Sequence, residues 1–287
     1  MRCASYYIGA MNIDIKTTLQ TAENDGTFVF KPIGYVHCAQ KYRYEAPRQA
    51  VFADNEGIIR LNPDNNFEQA LRDLSGFDRL WVIYCFHLNR DWKPLVRPPV
   101  AGSKEKISVF ATRSPHRPNP VGLSCVELVK IDGLDVHIRN FDMLDNTPVL
   151  DLKPYVPAAD AFPEAGTGWL ENAVAEHYEV VLSGPASAKA VWILNAGGLN
   201  LKKFCEVQLA HEPLNESRKR ISAGGAAGEY IIACRTWRIL FTPDEPGKRI
   251  EITGIKSGYA AEELAATAPD PYGDKDIHRE FLLRFQE

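Results

Sequence analysis

A mainly β fold, in which an antiparallel barrel precedes a smaller α+β unit, is predicted by three observations. Short β-branched or apolar runs separated by turn residues recur from Thr27 to about residue 160, one helical period interrupts them at Asn66–Ser75, and helical periods become frequent only after Pro163. The chain accordingly divides into a loose tail over 1–26, a barrel over 27–165 and an α+β unit over 166–287.

The tail is polar and weakly patterned, and Asn24-Asp25-Gly26 punctuates its end. Thr27–Val36 and Gly57–Leu61 read as strands, with Val51 and Phe52 a strand-like pair between them. Phe67, Ala70, Leu71 and Leu74 recur at helical spacing ahead of Gly76, which predicts the helix over 66–75. Leu80–His87 is continuously apolar and aromatic, the pattern of a central buried strand. Ile107–Thr112, Leu123–Ile131 and Leu134–Phe141 are further strands, the last two joined through Asp132-Gly133, a favoured hairpin turn. Beyond Pro163, strands are expected over Tyr178–Leu182, Tyr230–Phe241 and Arg249–Ile255, and helices over Ala186–Leu194, Leu199–Ala210 and Asp276–Phe285.

The 287 residues are 45% apolar, ample for a sizeable core. A net charge of −4 provides no global attraction for polyanions, so a nucleic acid would have to be held by local basic patches. Candidates are Lys41, Arg43 and Arg48; Lys93, Arg97, Lys104 and Lys106; Arg117; Lys202 and Lys203; and the run Arg218, Lys219, Arg220. Six scattered cysteines without a Cys-x-x-Cys pair point to reduced thiols, and no apolar run is long enough for a membrane helix or a secretory signal. A cytoplasmic protein without a metal is expected. The glycine-rich stretch Ala223–Gly228 follows a basic polar segment and precedes a strand, so neither a dinucleotide fingerprint nor a phosphate loop fits it.

Two polar segments carry the candidate chemistry. In Ala111–Ser124, Pro115, Pro118 and Pro120 fix their own φ and restrain the residues before them, so Arg113, Arg117 and Asn119 sit on a stiff loop suited to an anion or a planar polar group. Its proline spacing also fits a polyproline ligand, but strands on both sides favour a rigid platform. Asp142–Tyr155 adds Asp142, Asp145 and Asp151 around Thr147 and Pro148, with Lys153 able to pair with Asp151. A divalent-metal hydrolase built on those carboxylates lacks any histidine at ligand spacing.

Five ordered stretches carry a resemblance. Glu45-Ala46-Pro47-Arg48-Gln49, Trp81 to His87, Val96-Arg97-Pro98-Pro99, Val109 to Ser124 and Leu144 to Tyr155 together resemble the TrmO/YaeB family of tRNA methyltransferases over about residues 28–160. The resemblance implies a non-Rossmann β-barrel enzyme, working as a homodimer, that uses S-adenosylmethionine to methylate the exocyclic amine of threonylcarbamoyl-adenosine beside the anticodon of threonine tRNA. It implies a cofactor site of Pro47, Arg48, Gln49, His87, Leu88, Arg113, Leu123, Asp145, Asn146, Thr147 and Pro148. Asn146 stands where the family commonly has glycine, and asparagine also tolerates the left-handed conformation. Asp145, His87 and Tyr155 are unranked candidates for the acid/base group. Around Pro213, only Pro213, Arg218 and Lys219 match the family's C-terminal motif, which leaves open a non-enzymatic module that binds S-adenosylmethionine.

Overall fold

The computed structural model describes residues 28–47, 53–98, 106–172, 177–211, 213–214 and 220–285. The mainly β expectation holds. Six strands, β1 (Gly34–Cys38), β2 (Glu56–Leu61), β3 (Arg79–Cys85), β6 (Val121–Asp132), β7 (Asp135–Arg139) and β8 (Pro148–Pro154), close an antiparallel barrel in the order β1-β2-β7-β6-β3-β8. A two-stranded ribbon, β4 (Leu95–Val96) and β5 (Ile107–Ser108), stands apart from it.

Alternation decides what fills the barrel. Leu80, Val82 and Tyr84 of β3 point inward with Val36, Ile59, Val126, Val136, Ile138 and Val149, while Trp81, Ile83 and Cys85 face outward. Leu71 of the short helix α1 (Phe67–Leu71) joins this core. Opposite Tyr84, Gly122 lies so close that a Cβ there would sit 2.3 Å from the aromatic ring. Any other residue would push the Tyr84 hydroxyl off its mark.

Several boundaries differ from expectation, each for a local reason. The first strand begins at Gly34 and not at Thr27: Pro32 cannot donate to a ladder, and Phe28, Val29 and Phe30 are exposed non-strand residues. Val109–Ala111 form a 3-10 turn where a strand was expected, because the Thr112 hydroxyl donates to the Val109 carbonyl. The expected helix over 66–75 stops at Leu71 and continues as tighter turns, with the Leu74 N–H on the Leu71 carbonyl. The second half of the acidic segment is strand β8, and it closes the barrel. Tyr230–Phe241 is two strands, β11 (Tyr230–Cys234) and β12 (Trp237–Asp244), folded at Arg235, whose φ is +49°. The expected tail and the Val51–Phe52 pair lie outside the described residues.

The second unit is a five-stranded sheet in the order β10-β11-β12-β13-β9, with β10 (Ile221–Ala223), β13 (Arg249–Ser257) and β9 (Glu179–Leu182), the last parallel to β13. Helices α3 (Gly184–Gly197), α4 (Leu201–Leu209) and α5 (Lys275–Phe285) pack against it around Ile193, Leu201, Ile239, Phe241 and Phe281. Ser183 and Asn200 cap α3 and α4, and Gly198 ends α3 in the left-handed conformation. The glycine-rich stretch is the turn between β10 and β11, closed by the Gly224 N–H on the Glu229 carbonyl. A helix α2 (Pro157–Asp160) lies between the two units in sequence. Among the described residues no helix is long and apolar enough to cross a membrane.

A buried relay fastens α5 to this sheet. Thr236 Oγ1 donates to Asp274 Oδ2 at 2.6 Å, so it accepts from His278 Nε2 at 2.8 Å, which leaves Nδ1 to accept from Ser257 Oγ at 2.8 Å. The imidazole is fully buried on Trp237, with ring centroids 3.8 Å apart. Burial pushes its pKa from 6.5 down to about 4, against the opposing charge of Asp274 and with that of Arg238. The unfolded chain therefore binds a proton before the folded one does. His278 contributes stability that is complete above pH 6.5 and is lost as pH falls toward 4, at about 1.4 kcal/mol per unit. Urea titrations of wild type and His278→Gln across that window should show the acid slope flattened in the variant; parallel slopes would refute the assignment.

Candidate active site

The proline loop is held from within. Arg117 Nη1 donates to the Val109 and Thr112 carbonyls at 3.1 and 2.7 Å, the Ser114 N–H donates to Thr112 Oγ1, and the His116 N–H donates to Ser114 Oγ. Trp169 Nε1 donates to the Ala111 carbonyl at 2.8 Å, and the Phe86 N–H to the Pro120 carbonyl at 2.7 Å. Arg117 is thus a pin for the loop and not an outward anion ligand, and half-buried His116 lies against the Asp91 carbonyl. Arg113 is the opposite case. It is exposed, without a hydrogen bond or ion pair among the described residues, and its charge reaches Asp142.

Asp142 is the most perturbed carboxylate of the site. Ser124 Oγ donates to Asp142 Oδ1, and with that proton committed the Tyr84 hydroxyl supplies the 3.3 Å bond to Ser124 Oγ. Tyr84 and Ser124 are both 4% exposed, so the chain Tyr84, Ser124, Asp142 runs from the barrel interior toward its end. Burial raises the Asp142 pKa, opposed first by Ser124 and then by the Arg113 charge, and burial together with the Asp142 charge raises that of Tyr84. Sequence reasoning placed Asp142 in the acidic segment but left it out of the site. The signal was the inward alternation of β6, which puts Ser124 at the barrel mouth.

Asp145 is engaged otherwise. Its Oδ1 accepts the Cys38 N–H at 3.0 Å, its Oδ2 accepts Asn146 Nδ2 at 2.9 Å, and its own N–H donates to the Gln40 carbonyl. Asn146 has φ +59°, the left-handed conformation that glycine or asparagine takes most easily, and Thr147 is 3% exposed beside it. The Asn146 N–H donates to the Val36 carbonyl and the Thr147 carbonyl accepts from the Val36 N–H, which stitches this loop to β1 and starts β8 at Pro148.

The remaining candidates fall into two groups. His87 follows β3 at the end tied to Pro120; burial lowers its pKa, opposed by the Cys85 carbonyl and helped by the charge of Arg43. Leu88 and Leu123 expose 39% and 54% of their surface at that same end, an apolar wall open to solvent. Pro47 is buried in the β1–β2 connection that also carries Gln40 and Arg43. Tyr155 lies elsewhere: its N–H donates to the Arg79 carbonyl and its ring meets Trp81 edge-on at 5.7 Å, at the start of β3. At about 3.3 Å per residue that is on the order of 20 Å from His87 within one chain. Arg48 and Gln49 lie outside the described residues. Asp151 pairs with Lys153 at 2.7 Å, and among the described residues no group of His, Cys, Asp and Glu is placed to hold a metal ion.

The chain has clear relatives. A family model described as the tRNA-methyltransferase O N-terminal domain matches residues 35–161. The chain is 33% identical over 205 residues to a tRNA (adenine(37)-N6)-methyltransferase of Escherichia coli (strain K12), covering 69% of this chain and 87% of that protein. A Pyrococcus abyssi protein named "Probable S-adenosyl-L-methionine-binding protein" is 42% identical over 146 residues, 50% of this chain and 77% of its own. The crystal structure of TrmO from Pseudomonas aeruginosa superposes with a TM-score of 0.59 at 27% identity, over 80% of this chain and 100% of that one.

Proposed function

The chain belongs to the TrmO family, and from that premise we propose that it transfers a methyl group from S-adenosylmethionine to the exocyclic N6 of a tRNA adenine. The finer reading is that the acceptor is threonylcarbamoyl-adenosine next to the anticodon of threonine tRNA, and that the enzyme works in the cytoplasm as a homodimer.

One observation carries the reading: the charge of Arg113, an exposed guanidinium without a hydrogen bond or ion pair among the described residues, acts on a desolvated carboxylate, Asp142, at a barrel end walled by exposed Leu88 and Leu123. These groups fit the cofactor. Arg113 is suited to its carboxylate, Leu88, Leu123 and Pro148 to its adenine, and the carbonyls and carboxylates of the acidic loop to its cation. Bound S-adenosylmethionine supplies an electrophilic methyl group on a sulfonium. The protein has to hold the acceptor nitrogen in line and remove its proton, so positioning accounts for most of the acceleration. Asp142 would take the N6 proton as that nitrogen receives the methyl group, its raised pKa making it a stronger base than an ordinary carboxylate. Asp145 is the weaker candidate, because both its oxygens already accept hydrogen bonds.

Support for the homodimer comes from the barrel exterior. Trp81, Ile83 and Cys85 of β3 and Val121 and Leu123 of β6 form a continuous outward apolar stripe reaching the site, with Val121 40% and Leu123 54% exposed. A second copy would cover it.

The test is to incubate the purified chain with methyl-labelled S-adenosylmethionine and threonine tRNA, with and without the threonylcarbamoyl group, and to digest the product to nucleosides. Label on N6 of the modified adenosine alone supports the finer reading. Label on both tRNAs supports only the coarser one, and cofactor binding without transfer identifies a binding module instead.

A further inference from the structure

The segment 39–47, which follows β1, belongs to the barrel in sequence but is held by the second unit. Between β1 and β2, the Tyr44 carbonyl accepts from Gln208 Nε2 of α4 at 2.8 Å. The Tyr44 ring meets Phe204 edge-on at 6.3 Å, and the Arg220 guanidinium lies 3.0 Å from its centroid. Arg235, at the left-handed turn between β11 and β12, makes the densest contacts. Its Nε and Nη2 donate to Glu45 Oε1 and Oε2 at 2.5 and 2.9 Å, its Nη2 also to the Ala39 carbonyl at 2.9 Å, and its backbone N–H to the Tyr44 hydroxyl at 3.2 Å.

This is a buried two-pronged ion pair, with the Arg235 side chain 19% and that of Glu45 6% exposed. Glu45 in turn accepts the Lys41 and Tyr42 N–H groups, so the bend of the loop is organised around the carboxylate that Arg235 neutralises. On its other side the loop meets the candidate site directly. The Gln40 carbonyl accepts the Asp145 N–H at 2.7 Å, and the charge of Arg43 acts on His87. The loop therefore has one face on the site and the other on the C-terminal sheet.

We propose that Arg235 is a positioning residue for the cofactor site: through Glu45 and Tyr44 it holds the 39–47 loop in its binding conformation before the cofactor arrives. Affinity for S-adenosylmethionine is then set partly from the C-terminal unit, and any RNA contact that moves the β11–β12 turn changes it. The physical reason is preorganisation, since a loop released from its anchor has to be ordered at the moment of binding. The inference rests on the proposed cofactor site.

The experiment measures S-adenosylmethionine affinity by calorimetry and steady-state kinetics for wild type, Arg235→Lys and the pair Arg235→Met with Glu45→Gln. The double variant leaves no unpaired buried charge and keeps the test sound if a single truncation fails to fold. Expected are a dissociation constant and a KM for the cofactor at least about tenfold higher in the double variant, with kcat at saturating cofactor within about threefold of wild type, and a partial effect in Arg235→Lys, which keeps the charge but not the fork. A purely structural role would lower thermal stability without that KM-against-kcat split. Unchanged affinity in a folded double variant overturns the inference, whereas a wild type that binds no S-adenosylmethionine overturns the site itself.

Discussion

Asp142→Asn should slow methyl transfer by about 100- to 1,000-fold at saturating cofactor while leaving S-adenosylmethionine affinity within a few fold, which is the loss expected for a missing general base. The amide can still accept from Ser124, so the Tyr84, Ser124, residue 142 chain keeps its shape and only the proton acceptor disappears. The pH profile adds a second test. The rate requires the ionised carboxylate, and burial has raised its pKa, so wild-type activity should fall as pH drops through a point above the ordinary aspartate value. That limb should vanish in Asp142→Asn. A variant with wild-type kcat, or with the same acid limb, would return the role to His87 or Asp145.

Arg113→Ala should weaken S-adenosylmethionine binding by roughly 10- to 100-fold, the range of one or two lost charge-assisted hydrogen bonds at 1.5–3 kcal/mol each. Because Arg113 makes no hydrogen bond or ion pair among the described residues, thermal stability should stay at the wild-type value. Lys202→Ala is the matched control: it removes an exposed cation on α4 that only faces Glu206 at 3.6 Å, and it should bind cofactor normally. Calorimetry of the three proteins decides the matter, and equal affinities would remove Arg113 from the site.

What was legible in the sequence was what local chemistry fixes. Three prolines with Thr112 and Ser114 make a stiff loop through bonds spanning two or three residues, and Asp132-Gly133 makes the hairpin it promises, with Gly133 at φ +58°. Strand β8 was hidden because Asp151, Lys153 and two prolines disguise it; only its pairing with β3 on one edge and β1 on the other makes it a strand. The fold at Arg235 was hidden because Tyr230–Phe241 carries no glycine, proline, asparagine or aspartate to mark the turn. Asp142 acquires its character from Ser124, 18 residues away, and Glu45 from Arg235, 190 residues away. Neither distance leaves a trace in periodicity.

The inward tie of Arg117 also bears on how the protein would respond to salt. A polyanion displaces counterions only where a cation on the protein takes their place, so each phosphate contact steepens the loss of affinity with ionic strength. With Nη1 committed to the Val109 and Thr112 carbonyls, Arg117 is part of the loop's internal scaffold. On the proline loop, Arg113 is left as the guanidinium that can exchange places with an ion.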